Sequence, residues 1–308
     1  MTKITELLDD LKLNQQIEGR KPKYIDICSW GLKRWNELMQ TEFSIGVEDI
    51  KAIHTKKYIQ HRQQLAEEKP ITINNNIATL KVFFNYLVEE KFLDELENPM
   101  RRIKSLKEEK RVIVTFNDSE VKRIINDVQE ETYYNIRDKL ILIMLFDTGV
   151  RVSELCNIKN NDITTRSILI HGKGSKQRLV YISKTMRKYM RKYEKAKQER
   201  FKHKKTEEVE DYYFLDQCAM KLHRSRINKI LKEHCNNVGV REEIRCSPHD
   251  ARHYFAQKQL RNGIDVYSLS RLLGHYDTQM TAKYLRGLEQ DSILEIGRLH
   301  SPLNDTNI

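Results

Sequence analysis

Along residues 4–90 apolar positions recur every three or four places, the period of an amphipathic helix. Ile4, Leu7, Leu8 and Leu11 begin one such face, Tyr24 to Met39 continues it with Ile27, Trp30, Leu32 and Trp35, and Ile50 to Leu65 carries a weaker one. The strongest stripe lies between Asn74 and Glu90, where Ile77, Leu80, Phe83, Phe84, Leu87 and Val88 recur, and Asn98-Pro99 ends it. Four or five short helices in a bundle are expected. From Arg101 to Arg111 the periodicity disappears and six of eleven residues are basic, the composition of a linker. The pattern therefore divides the chain into a helical domain at 1–108, a basic linker at about 101–112 and a second domain at 113–308.

The second domain opens with Asn117 and Glu120 in capping-box spacing ahead of a helix at Val121 to Val128. Ile136 to Phe146 is strongly apolar, which predicts a buried helix, and Asp147-Thr148-Gly149-Val150 turns the chain after it. Ser167 to His171 and Arg178 to Ile182 read as two strands of a hairpin, joined by Gly172-Lys173-Gly174-Ser175-Lys176-Gln177. This loop is no phosphate-binding P-loop, because a strand follows it and not a helix. Arg187 to Lys205 predicts a charged, solvated helix, Asp211 to Leu215 a short buried strand or turn, and Leu222 to Cys235 another helix. Ser247 and Pro248 mark a helix start, as does Asp265 before Val266, Leu269, Leu272 and Leu273, and Gly274 suits the left-handed end of that second helix. Asp277 or Thr278 then caps a helix that carries Tyr284 about two turns in. The fold class is mainly α with a small β-sheet.

Composition narrows the functions available. The chain has 308 residues, enough for two cores, and 55 Lys and Arg against 44 Asp and Glu, a formal charge of +11. That excess is spread along the chain and favours a polyanionic partner. Lys56, Lys57, His61, Arg62 and Lys81 fall on polar helix faces that could meet a phosphate backbone, although each taken singly reads better as a solvated residue. No run approaches the roughly 18 apolar residues of a membrane span, and no apolar leader opens the chain, so a cytoplasmic protein is expected. Five cysteines without a C-x-x-C pair suggest reduced thiols, and His234, Cys235, Cys246 and His249 fit no common zinc spacing.

Several polar groups stand where a charge is costly unless an anion or a partner meets it. Arg151 lies at the mouth of the buried helix-turn, with Glu154 three residues on to orient it; taken alone, it reads at least as well as half of a salt bridge. His249 and Arg252 share a face near the positive end of their helix, an anion-binding position, while His253 is assigned to structure. His275 follows the glycine turn.

The ordered set Arg151, Lys173, His249 with Arg252, His275 and Tyr284 resembles the tyrosine recombinase family of phage-integrase type. The resemblance is carried by Thr148-Gly149-Val150-Arg151-Val152-Ser153-Glu154-Leu155, Gly172-Lys173-Gly174-Ser175-Lys176-Gln177-Arg178, His249-Asp250-Ala251-Arg252-His253 and Leu272-Leu273-Gly274-His275, with Tyr284 nine residues further. It covers 113 to about 290, and the helical domain ahead of it is similar to the family's SAM-like core-binding domain. The resemblance implies a C-shaped clamp around double-stranded DNA with inverted-repeat core sites, and a site-specific recombinase that works through a 3′-phosphotyrosine. In that scheme Tyr284 is the nucleophile, Arg151, Arg252 and His275 bind the scissile phosphate, His249 receives the phenolic proton and Lys173 protonates the leaving 5′-hydroxyl. No metal, ATP or other cofactor is implied. The segment with Leu288, Ile293, Leu294, Ile296 and Leu299 would dock on a neighbouring protomer in a homo-tetramer. Integration, excision or resolution of a mobile element is the expected use; Xer-type chromosome dimer resolution and a type IB topoisomerase are the alternatives.

Overall fold

The computed structural model describes residues 4–43, 49–64, 68–108, 113–172, 176–275 and 277–287, with Arg298 and Ser301. Lys173 and the tail positions 288–297 and 299 lie outside the described residues. The chain forms two compact units, Met1–Lys110 and Arg111–Ile308. Among the described residues no helix is long and apolar enough to cross a membrane.

The first unit contains α1 (Ile4–Ile17), α2 (Pro22–Phe43), α3 (Ala52–Gln64) and α4 (Pro70–Glu89). Pro70 sits in the first turn of α4, where its missing N–H costs nothing. The buried stripe of α2 is Ile25, Cys28, Leu32, Trp35 and Met39, alternating steps of three and four. Ile27 and Trp30, expected inside, are 57% and 63% exposed; both lie off that stripe, and the Arg34 guanidinium lies 5.5 Å from the Trp30 ring. Trp35 meets Phe84 and Phe83 edge-on at 5.5 and 6.3 Å, so the two strongest stripes close on each other.

Two further readings of this unit are corrected. Arg62 does not face outward: it is buried, and its Nε donates to Glu68 at 2.9 Å, since a charge on the inner face needs a partner carboxylate. The first half of the basic segment is no free linker. Met100 and Ile103 are buried in the helical core, and Asn74 brackets the Leu106 backbone, donating to its carbonyl at 3.1 Å and accepting from its N–H at 2.7 Å.

The second unit is built on α6 (Tyr133–Thr148), whose residues Leu140 to Phe146 are all buried. Around it pack α5 (Asp118–Asp127), α8 (Lys184–Phe201), α9 (Arg224–Asn237) and α10 (Pro248–Arg261). The short α7 (Val152–Cys156) leaves the end of α6, and β1 (Ser167–His171) pairs antiparallel with β2 (Gln177–Tyr181), setting Ile170 opposite Arg178. The chain continues as α11 (Val266–Leu273) and α12 (Gln279–Ala282). The Asn117–Glu120 box forms as its spacing requires, Asn117 accepting from the Glu120 N–H at 2.8 Å and donating to the Glu120 carboxylate at 2.9 Å. The charged sequence of α8 hides an apolar stripe, Met186, Met190, Tyr193 and Phe201, so this helix is a wall of the core and not simply a solvated surface.

Gly149 ends α6 with φ of 60°, and a Cβ there would stand 2.5 Å from Phe255 Cδ1 and 3.2 Å from Leu273 Cδ2. Gly149→Ala therefore adds left-handed strain to a steric clash, and is expected to destabilise the second unit by about 2–5 kcal/mol, read as a lower urea midpoint.

Candidate active site

The site starts where α6 stops. Gly149 turns the chain, Val150 is buried, and Arg151 takes the extended conformation of the residue before α7. Glu154, one turn into α7, accepts from the Arg151 backbone N–H at 2.9 Å and from Arg151 Nη1 at 2.8 Å. Its carboxylate is buried and also receives a fork from Arg178 of β2, Nη2 to Oε2 at 2.7 Å and Nη1 to Oε1 at 3.0 Å. Burial opposes ionisation of Glu154, but the Arg178 and Arg151 guanidiniums outweigh it and hold the carboxyl below its usual range. The Arg151 side chain remains 40% exposed and borders an open groove of about 1720 Å³, shared with Arg178, Lys176, His171, Arg271 and His275. Sequence reasoning quoted Arg178 but gave it no role. Its basic character was visible; the carboxylate that it binds was not.

Helix α10 starts on a Ser247–Asp250 capping box, the Ser247 N–H donating to Asp250 at 3.0 Å, with Pro248 in the first turn. One turn in, Arg252 is 2% exposed, and its Nη1 and Nη2 donate to the carbonyls of Gly149 at 2.6 Å and Leu273 at 2.7 Å. Burial and the neighbouring Arg151 charge bring its pKa down to about 10, so it stays a cation at neutral pH. Two guanidiniums thus donate to the last carbonyls of α11, Arg252 to Leu273 and Arg178 to Leu272 through Nε at 2.8 Å, where the helix dipole is negative. His249 is exposed at the first turn of α10, and partial desolvation together with the Lys283 and Arg252 charges lowers its pKa.

Asp265 caps α11, accepting from the Ser268 N–H at 2.9 Å, and Gly274 closes it with φ of 65°. His275 follows, its N–H bonded to the Ser270 carbonyl at 3.0 Å and its Nδ1 hydrogen-bonded to the Thr281 hydroxyl at 2.7 Å. Burial, then the Arg252 and Arg151 charges, push its pKa down to about 3, so the ring is neutral at pH 7.

Tyr284 stands on a 3-10 turn, Lys283–Gly287, after the single turn of α12; the two-turn helix expected there is absent. Thr278 precedes α12 without a side-chain cap, and Asp277 accepts from the Gln279 N–H at 2.8 Å. The Tyr284 ring is 1% exposed and packs in a small core with Phe255, Leu269 and Leu273. Burial raises its pKa, while the Arg252 and Arg151 charges pull it back.

The Tyr284 hydroxyl meets His253 Nδ1 at 2.9 Å, and the His253 ring lies 4.2 Å from that of His249. His253 is therefore no remote structural residue, and in this state it, rather than His249, holds the phenol. The reason is helical geometry: His249 and His253 are one turn apart and share a face, a spacing legible in the sequence but passed over in favour of the i, i+3 pair. Lys173 falls outside the described residues; the loop edge beside it is closed by Gly172 N–H to the Lys176 carbonyl at 2.7 Å. Among the described residues no group of three or more His, Cys, Asp or Glu side chains could hold a metal. His234, one of the conceivable zinc ligands, hydrogen-bonds Asp127 at 2.7 Å.

Burial, followed by the His249 and Lys283 charges, brings His253 down to about 4. The unfolded chain protonates this imidazole near pH 6.5 and the folded site resists until about 4, so the folded state loses stability as pH falls through that window. Thermal melts between pH 7 and 4 should show this fall. His253→Gln, which keeps a polar contact but cannot titrate, should make it shallower, His275 and His249 supplying the remainder, and an unchanged slope would rule His253 out as a source.

The profile of the Phage integrase family matches residues 97–290. Tyrosine recombinase XerC of Bacillus pumilus is 30% identical over 262 residues, covering 83% of each chain, and XerD of Listeria monocytogenes 31% over 219 residues, 70% of this chain and 72% of that one. A tyrosine recombinase of Pseudothermotoga lettingae is 29% identical over 262 residues, 84% and 85% of the two chains. In fold the chain is similar to the XerH site-specific recombinase bound to palindromic difH substrate in a post-cleavage complex, with a TM-score of 0.73, 20% identity and coverage of 95% and 84%. It is also similar to the Tn1549 transposon integrase in complex with transposon right end DNA, with a TM-score of 0.67, 17% identity and coverage of 96% and 99%. With four arginine, histidine and tyrosine positions of the motif supplied by the ends of α6 and α11, the first half of α10 and the 3-10 turn after α12, and with a profile match over most of its length, the chain belongs to the phage integrase family: it is a tyrosine recombinase, an enzyme of site-specific recombination.

Proposed function

We propose that this recombinase cuts and rejoins duplex DNA with Tyr284 as nucleophile and Arg151, Lys173, His249, Arg252 and His275 as its catalytic partners. The observation that carries the reading is the convergence on one small volume of Arg151, Arg252, His275 and Tyr284, supplied by four separate elements; Arg252 and Arg151 are close enough to act on the charge of both His275 and Tyr284. A phosphodiester gains negative charge as it becomes five-coordinate, and fixed guanidiniums stabilise that charge with no reorganisation during the step. The phenol loses its proton as its oxygen bonds to phosphorus, and the 5′-hydroxyl that departs takes one up, from Lys173 in this reading. The ester energy is kept in the phosphotyrosine, so a second 5′-hydroxyl reseals the strand without ATP. Two cations replace the divalent ions used by two-metal nucleases. Since Tyr284 rests against His253, the phenol leaves that contact before attack, and His249, edge-on beside His253, is within one imidazole of the released proton.

The helical unit would contact the core site through exposed cations such as Lys56 and Lys57, and the 288–308 tail would link protomers in a tetramer on paired sites. Use by a mobile element is the favoured role, supported by the fold likeness to a transposon integrase; the sequence likeness to XerC and XerD favours chromosome dimer resolution as the second reading. The test is to select bound duplexes from a randomised pool, nick the selected site beside the cleavage position and look for a detergent-resistant protein–DNA adduct whose tryptic map ends on Tyr284. Absence of an adduct with every selected duplex would overturn the proposal. Relaxation of plasmids lacking the selected site would point instead to a topoisomerase.

A further inference from the structure

We propose that Arg178 is a positioning residue of this site, one that keeps the Arg151 guanidinium and the His275 turn in register with the hairpin that bears Lys173. The inference rests on the recombinase reading above.

Arg178 sits on β2, two residues past the hairpin loop, and its side chain is 10% exposed. All three of its nitrogens are engaged. Nη1 and Nη2 fork onto the Glu154 carboxylate at 3.0 and 2.7 Å, and Nε reaches the Leu272 carbonyl at 2.8 Å. One planar group therefore bolts three segments together: the hairpin, the start of α7 and the last turn of α11.

The charge balance gives this contact its meaning. A lone Glu154 would neutralise Arg151 and leave little field for a phosphate. With Arg178 present, two guanidiniums face one carboxylate and the trio keeps a net charge of +1. The same carboxylate then has both oxygens filled twice, Oε1 by Arg151 Nη1 and Arg178 Nη1, Oε2 by the Arg151 N–H and Arg178 Nη2, so it has no freedom to swing away from Arg151. The close fit extends to Gly274. A Cβ there would lie 2.9 Å from Arg178 Cδ, so the turn that presents His275 is moulded to this arginine as well as to its own positive φ.

A positioning role separates from a purely structural one by which quantity it changes. In the full-length protein on a selected, nicked duplex, Arg178→Gln should slow adduct formation at saturating DNA by about a hundredfold, because a misplaced Arg151 loses transition-state contacts. DNA affinity should stay within about threefold of wild type. Arg178→Lys, which keeps the charge and the fold but not the fork, should remain slowed by about tenfold or more. Combining Arg178→Gln with Glu154→Gln should be no more than about threefold slower than the worse single variant, since both act through one carboxylate. A rate within threefold of wild type in Arg178→Gln, a loss confined to DNA affinity, or losses that multiply in the double variant would each overturn the inference. If wild type itself forms no adduct, the recombinase mechanism fails; if wild type reacts and Arg178→Gln reacts equally well, only the role of Arg178 fails.

Discussion

Tyr284→Phe is expected to abolish the covalent protein–DNA adduct while the protein still folds and still binds its duplex. The hydroxyl is the only group removed, and with it the proposed nucleophile, so the rate should drop by roughly 10⁴-fold or more, as when other nucleophiles of covalent catalysis are deleted. The ring is retained, and with it the packing against Phe255, Leu269 and Leu273. What is lost in the resting state is one hydrogen bond to a buried imidazole, which costs about 1–3 kcal/mol and should appear as a modest fall in the melting midpoint. The two readouts move independently. An adduct of normal yield in the phenylalanine variant would show that another residue attacks.

Arg252→Gln should produce the second-largest change, and on two counts. In the free protein its guanidinium bridges the Gly149 and Leu273 carbonyls at 2.6 and 2.7 Å, fastening the end of α6 to the end of α11. Removing it leaves both carbonyls buried without a charged donor, at about 1–3 kcal/mol each. In the reaction it removes one of two fixed cations, a loss of about 10²–10³ in the rate of adduct formation at saturating DNA. Arg252→Lys should recover stability poorly, since a single ammonium cannot span two carbonyls on separate helices. Urea unfolding and single-turnover cleavage measure the two effects separately, and a rate loss smaller than tenfold in a folded Arg252→Gln protein would remove it from the catalytic set.

Local features of this fold were legible from the chain, because helix ends depend on neighbours within four residues. Asn117, Ser247 and Asp265 each cap the helix that their spacing announced, and Gly149 and Gly274 each take the left-handed conformation at a helix end. The first hairpin strand lies where it is predicted, and the second is shifted by one residue. Illegible features were those decided by a partner far along the chain. Arg62 reads as a surface cation until Glu68 is seen beneath it, and Arg178 reads as a strand residue until Glu154 and Leu272 close on it from 24 and 94 positions away. The α2 stripe failed for another reason: Ile27 and Trp30 are apolar but off the 3–4–3–4 phase of Ile25, Cys28, Leu32, Trp35 and Met39, and hydrophobicity alone does not choose between two phases. His253 reads as structural from its sequence because nothing local shows the Tyr284 hydroxyl that closes on it from 31 positions away.

In the proposed mechanism the burial of the Tyr284 ring sets a toll on the first move. Drawing an aromatic side chain out of an apolar nest costs about 2 kcal/mol, so only about 3% of molecules away from their target would present a free phenol at any moment. With Tyr284 as nucleophile, strand breakage would wait until contacts with the right duplex offset that cost. Substitutions that enlarge or tighten the nest around Phe255 and Leu273 would then change how selectively the enzyme cuts before they change how well it folds.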